Sequence, residues 1–204
     1  KPIAHEKSFG MKGLKSGTEE EAQIEGLKVV LNNNREMTIR GQIDRIDGYR
    51  DGSDVYLRVI DYKSSKRDIN LTEVYNGISL QLLTYLEVAS QNAIELIKDS
   101  ELVTDLHELE DIIVKSAGMF YFHVHNPLLT VADYSDVSKL EEERLKQYKL
   151  KGYALEDVDV AIAMDETLEP SATSKIVPVG LTKDSTFNGR SSSVKKKKKM
   201  FMLK

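Results

Sequence analysis

Two strand-like runs meeting at a tight turn constrain this chain more than any other feature. Met37 to Asp47 and Val55 to Lys63 read as strands, and Asp51-Gly52-Ser53-Asp54 lies between them as a turn signal. If Gly52 and Ser53 form a two-residue hairpin loop, every pair of opposed residues has numbers summing to 105. Asp44 then faces Asp61, Gln42 faces Lys63 and Asp47 faces Arg58. Directly opposed Cβ atoms sit about 4.5–5.5 Å apart. Asp61 and Lys63 are two residues apart and share a sheet face, so two carboxylates and one lysine converge on one patch. A longer loop shifts this register.

Opposed carboxylates repel unless a cation lies between them. Hard oxygen donors of this kind suit Mg²⁺, with Mn²⁺ as a substitute. A lysine beside such an ion can orient or deprotonate an attacking water and offset charge that develops on phosphorus. The plainer reading is a surface hairpin with a cross-strand Asp–Lys ion pair, and spacing alone leaves both open.

Around this hairpin, Ile3 to Phe9 reads as an edge strand and residues 10–22 as a loop with three glycines. Ile24 to Leu31 reads as a strand joined by Asn32-Asn33-Asn34 to the strand Met37 to Asp47, since Asn tolerates the left-handed backbone of tight turns. Residues 71–90 switch to a helical period through Leu71, Val74, Ile78, Leu82 and Leu86, with Asn70 or Thr72 as the cap. Gln81 and Tyr85 are four apart and lie on one face of that helix. A weaker helical pattern covers 101–115. Gly118 to Val124 reads as a strand ended by Asn126-Pro127, residues 136–149 and 156–164 as helices, and 174–179 as a short strand. His123 and His125 share a strand face, but a lone His-x-His is more often a solvated or hydrogen-bonded surface than a metal site.

Composition excludes several classes. No apolar run approaches the roughly 18 residues of a membrane helix, and no signal peptide opens the chain. There is no P-loop, no GxGxxG after a strand and no GxSxG. No cysteine is present, so disulfides and thiolate metal sites are excluded. The net charge is -4, and six lysines stand in the last ten residues, so residues 1–194 carry -10. An acidic body disfavours autonomous nucleic-acid binding and points to a partner that delivers DNA. The Lys-rich segment 191–204 is expected to be a disordered or cloning-derived tail, with 1–190 forming one domain.

Taken in order, Gly41-Gln42-Ile43-Asp44-Arg45-Ile46-Asp47, then Val59-Ile60-Asp61-Tyr62-Lys63-Ser64, then Gln81-Leu82-Leu83-Thr84-Tyr85 resembles the RecB-type branch of the PD-(D/E)XK nucleases. Within it, EKSFG at 6–10, GISLQLLTYL at 77–86, MFYFHVHNP at 119–127 and KGYALEDVDVAIAMDE at 151–166 are similar to the C-terminal nuclease domains of the AddB (RexB) family of bacterial helicase–nuclease subunits. The resemblance spans roughly residues 3–190. It implies an α/β, restriction-endonuclease-like core with a mixed central sheet flanked by helices. It implies Mg²⁺ held by Asp44, Asp61 and the Tyr62 backbone carbonyl, Lys63 as the catalytic lysine, and Gln81 and Tyr85 as the helix motif that positions nucleic acid. It further implies a cytoplasmic deoxyribonuclease that degrades one DNA strand during double-strand-break processing for recombination, with an AddA-type helicase–nuclease subunit as partner. An iron–sulfur cluster on flanking cysteines also belongs to that picture, as does a helix before the first strand, and this chain shows neither. Lys1 opens directly on a strand, and His5 sits in the wrong context to replace a histidine from that helix. The expectation is therefore an excised piece of a longer protein, with a catalytically silent structural or DNA-channel module as the alternative role.

Overall fold

A computed structural model describes residues 1–10, 24–32, 34–124 and 137–195, leaving aside the side chains of residues 137 and 138. The expected loop at 10–22 beyond Gly10, the central Asn33, His125 with Asn126-Pro127, and the tail from residue 196 lie outside the described residues.

The hairpin forms in the expected register. β4 (Gly41–Asp51) and β5 (Asp54–Lys63) are antiparallel, and their ladder runs from Arg45 opposite Ile60 to Asp51 opposite Asp54. Gly52 takes φ +59°, the left-handed conformation a two-residue loop requires. β1 (Pro2–Phe9) pairs antiparallel with the other side of β4 and lies at the sheet edge.

β2 (Leu27–Val30) and β3 (Glu36–Ile39) make a separate two-stranded hairpin whose connection includes Asn34 at φ +56°. The run Met37 to Asp47 is therefore two strands in two sheets, broken at Arg40. Gly10 and Gly26, distant in sequence, pack against the break. A Cβ on Gly26 would lie 2.5 Å from the Ile39 carbonyl oxygen, and one on Gly10 2.9 Å from the same atom. Backbone crowds the end of β3 and turns the chain out of line.

The single helix expected over 71–90 is also two. α1 (Leu71–Tyr75) is capped by Asn70, whose side chain accepts the Thr72 N–H at 2.9 Å. Gly77 at φ +75° ends it with left-handed backbone. α2 (Gln81–Gln91) follows, then α3 (Ala93–Ile97). Only the second half of the apolar stripe is buried. Leu82 and Leu86 are in the core, whereas Tyr75 is 90% and Ile78 73% exposed.

The weak helical pattern at 101–115 yields only a 3-10 turn over Leu106–Asp111. β6 (Ile113–His123) begins directly after it. Ile112 and Val114 pack on a cluster of Val55, Leu57, Ala93 and Ile97 while Ile113 is exposed, and that two-residue period makes a strand. The Ile113 N–H donates to the Ser53 carbonyl and the Val124 N–H to the Lys63 carbonyl, so β6 runs the same way as β5, with α1 to α3 in the connection.

α4 (Val137–Gln147) and α5 (Val158–Met164) occupy the two expected helical stretches. Between them β7 (Lys151–Leu155) is an additional strand, paired in parallel with the two-residue β8 (Ser193–Val194). No strand forms over 174–179. Pro178 lacks an N–H, and the Ser174 hydroxyl takes the N–H groups of Ile176 and Val177 at 3.1 and 2.9 Å, which closes the segment on itself.

The sheet order is β1-β4-β5-β6-β7-β8, mixed in direction as expected for the α/β restriction-endonuclease-like class. Two compact units divide the chain, and the division falls within β5 and β6. The described part of residues 1–61 with 70–119 forms the first, and 62–69 with the described part of 120–204 forms the second.

Candidate active site

In the first unit, the hairpin ladder ends at Arg45 and Ile60. Asp44 and Asp61 are the next residues on β4 and β5, so the same register continued by one step sets them opposite each other. Asp61 is buried, 2% exposed, and Asp44 is partly buried. Their neighbours explain why the strands stay in line: Ile43, Ile46 and Val59 are fully buried. Across from Asp44 on the other side, β1 departs from regular backbone. His5 pairs with Arg45 and Lys7 with Ile43, and between them Glu6 is held at φ +47°, with its carbonyl accepting the Gln42 side-chain N–H at 2.9 Å. Left-handed backbone on a non-glycine residue costs energy and gathers at functional sites. Sequence reasoning does not single out Glu6, because positive φ leaves no mark in residue type here.

Alternation along the strands places Asp47 on the opposite face. It is 3% exposed, and its carboxylate bridges two guanidinium groups. Arg45 Nε donates at 2.7 Å, and Arg58 donates from Nε at 2.9 Å, with its Nη2 2.8 Å away. Burial by itself raises the Asp47 pKa; the Arg45 hydrogen bond and the Arg58 charge outweigh it and hold the carboxyl below the ordinary range. The second aspartate of GxIDRID is thus tied into a structural ion-pair network.

The helix motif joins the same unit. Gln81 donates from Nε2 to the Tyr85 hydroxyl at 2.9 Å, one turn apart on α2 as the spacing required. The Tyr85 ring meets the buried Phe9 ring edge-on, centroids 5.9 Å apart and planes at 80°. Gly41 makes room for that ring, since a Cβ there would lie 3.0 Å from Phe9 Cζ. The glycine of GxID and the tyrosine of QxxxY therefore touch the same phenylalanine.

In the second unit, Lys63 Nζ stands 5.6 Å from the centroid of the buried Tyr121 ring, within cation–π range. Tyr62 is 41% exposed and meets Phe122 edge-on at 5.9 Å. His123 is buried, and its Nε2 accepts the Arg67 N–H at 2.8 Å. His123 is thus hydrogen-bonded, but in the interior and not on the strand surface expected of His-x-His; His125 lies outside the described residues.

Among the described residues, no three His, Cys, Asp or Glu side chains come together as a metal cage. Mg²⁺ does not require one: it keeps several waters and commonly takes one or two carboxylates. Two carboxylates on adjacent strands, one of them buried, are a donor set that fits a hard divalent cation. The chain has no cysteine, hence no thiolate for an iron–sulfur cluster.

Comparison with known proteins agrees with this architecture. The family model of the PD-(D/E)XK nuclease superfamily matches residues 1–175, and the chain belongs to that superfamily. More particularly, it is 43% identical over 187 residues to the B subunit of the ATP-dependent helicase/deoxyribonuclease of Lysinibacillus sphaericus (strain C3-41), covering 91% of this chain and 14% of that protein. It is 38% identical over 191 residues to proteins of the same name from Bacillus thuringiensis (strain Al Hakam) and Bacillus mycoides (strain KBAB4), covering 94% of this chain and 15% of each. The chain thus spans about one seventh of the length of these relatives.

Proposed function

We propose that this chain is the nuclease domain of a helicase–nuclease B subunit, and that it hydrolyses phosphodiester bonds of a DNA strand with a divalent metal. Asp44, Asp61 and the Tyr62 carbonyl hold Mg²⁺ or Mn²⁺ in this reading. When bound, the ion activates water and neutralises the scissile phosphate. Lys63, two residues beyond Asp61 on the same strand, orients the attacking water and offsets charge developing on the phosphate oxygens. The Gln81–Tyr85 pair presents a hydroxyl and an amide to the DNA strand. The work belongs to cytoplasmic double-strand-break processing for recombination, with a helicase-bearing AddA-type subunit feeding the strand. Residues 1–190 make up the domain, and the Lys-rich segment 191–204 is assigned no part in the reaction.

One observation supports this reading: Asp61 is buried at the end of a hairpin whose register, carried one step past Arg45 and Ile60, brings Asp44 opposite it. The test is cleavage of end-labelled single-stranded DNA in Mn²⁺ by the native chain and by Asp61→Ala. A drop of about a hundredfold or more is expected, the scale of losing one key electrostatic group. Equal cleavage by both proteins refutes the assignment. Absence of cleavage by the native chain, together with Mn²⁺ binding that Asp44→Ala leaves intact, favours the silent-module role.

A further inference from the structure

The acidic body poses a problem that local structure resolves. Residues 1–194 carry -10, yet the second unit contains a concavity of about 310 Å³ lined by Lys149, Lys151 and Arg190, with no carboxylate among its lining residues. Thr173, Asn188 and Ser192 add hydroxyl and amide groups to the same wall. Among the described residues, none of the three cations forms an ion pair.

The fold brings these residues together from distant stretches. Lys149 and Lys151 are two apart where the chain enters β7, and the Leu150 N–H between them donates to the Ile176 carbonyl at 2.9 Å. The 188–192 segment is fastened alongside: the Asn188 N–H donates to the Gly180 carbonyl at 2.9 Å, and the Ser192 N–H to the Pro178 carbonyl at 2.8 Å. Ser191 Oγ receives the Gly180 N–H at 2.9 Å. Gly180 is the floor. A Cβ there would lie 2.4 Å from Asn188 Nδ2 and 3.0 Å from Thr173 Oγ1, so a side chain at 180 would displace the Asn188 amide from its present position.

The cations are uncompensated where compensation was at hand. Asp165, the carboxylate whose charge reaches Lys149, is buried and engaged elsewhere. It accepts from Ser174 Oγ at 2.6 Å, from Thr167 Oγ1 at 2.6 Å and from the Lys175 N–H at 3.1 Å. Burial first, and then the neighbouring Lys151 ammonium, lower the Lys149 pKa. The negative charge of an anion in the concavity offsets both effects.

We propose that this concavity is a phosphate subsite that takes a phosphodiester group of a DNA strand, a proposal that rests on the nuclease reading for the identity of the strand. The donor set is cationic and multidentate, as a phosphate's oxygens demand. The volume is at the low end of ligand sites, enough for one nucleotide unit. Arg190 is exposed at the rim, which leaves the site open to a passing chain.

The test is fluorescence anisotropy of a labelled single-stranded oligonucleotide in EDTA across a range of NaCl concentrations. It compares the native chain, K149Q/K151Q/R190Q, and K28Q/K98Q/K146Q as a charge-matched control, each checked for folding by circular dichroism. The pocket variant is expected to bind about tenfold more weakly at low salt. Its log–log salt slope should fall by about 0.7 for each phosphate that the pocket ceases to neutralise. The control should keep most of its affinity, and K149R/K151R should keep nearly all of it. Equal weakening by the two triple variants, or none in the pocket variant, overturns the proposal. So does a pocket that shifts the amide resonances of 149–151 and 188–192 with inorganic phosphate while DNA affinity is indifferent to the pocket variant, which marks a free-phosphate site. Mn²⁺-dependent cleavage by the same proteins separates the two readings. If the native chain cuts and the pocket variant matches it in affinity and KM, only the subsite fails. If the native chain binds without cutting and the pocket variant loses binding, the subsite stands and the nuclease reading falls. If the native chain neither binds nor cuts, both fall.

Discussion

Two aspartates three residues apart in one motif have opposite fates, and strand alternation is the reason. Asp44 shares a face with Asp61; Asp47 faces the other way and is clamped by Arg45 and Arg58. Asp47→Asn removes the charge that holds two guanidinium groups together. It should cost about 3 kcal/mol in urea unfolding, the scale of breaking a buried pair. The pH dependence has a definite sign. Because the native pKa is depressed, Asp47 contributes stability above the ordinary aspartate pKa near 4, and that contribution disappears as pH falls through the native value. The variant's acid limb should therefore be flatter than that of the native protein. A parallel loss in both proteins would mean other carboxylates govern acid unfolding.

At the scale of elements, β1, β4 and α2 are coupled through one ring. Phe9 fills the space above Gly41 and supports Tyr85. Gly41→Ala puts a methyl group against a ring that is 1% exposed and has little room to yield. Overpacking of this kind costs about 1–3 kcal/mol. The expected readout is a lower urea midpoint with an unchanged slope, together with weaker DNA cleavage because Tyr85 shifts with Phe9. Unchanged stability would show that β1 moves aside. This coupling is not legible in the sequence. EKSFG, GxID and QxxxY are each visible, but nothing local says that a glycine and a tyrosine so far apart in the chain share a neighbour. Residue order misleads about helix length for a related reason. The apolar stripe over 71–90 is continuous on a helical wheel, and only the left-handed Gly77 and the exposed Tyr75 and Ile78 show where it breaks.

For the whole molecule, bound metal and folding stability are linked. An ion that binds only the folded state stabilises it by about 2.7 kcal/mol at a hundred times its Kd. Mn²⁺ should therefore raise the thermal midpoint of the native chain and leave that of Asp44→Ala unmoved. A shift of equal size in both places the ion elsewhere. Charge is the other whole-molecule property, and here average and local values diverge. The -10 carried by residues 1–194 argues against DNA binding, while the wall formed by Lys149, Lys151 and Arg190 argues for one point of attachment.

Residue order is sufficient for whatever depends on period and short range. A two-residue turn dictates strand register, and register dictates which side chains are opposed, so Asp47 opposite Arg58 follows from the amino-acid sequence, and Asp44 opposite Asp61 is that register carried one step past the ladder. Long-range packing decides where β3 ends and β4 begins, where the helix breaks, that Phe9 supports Tyr85, and that three cations share a wall. Each of these depends on segments far apart in the chain meeting one another. Closing such loops is an entropic cost offset by packing, and neither the cost nor the packing has a local signature in residue order.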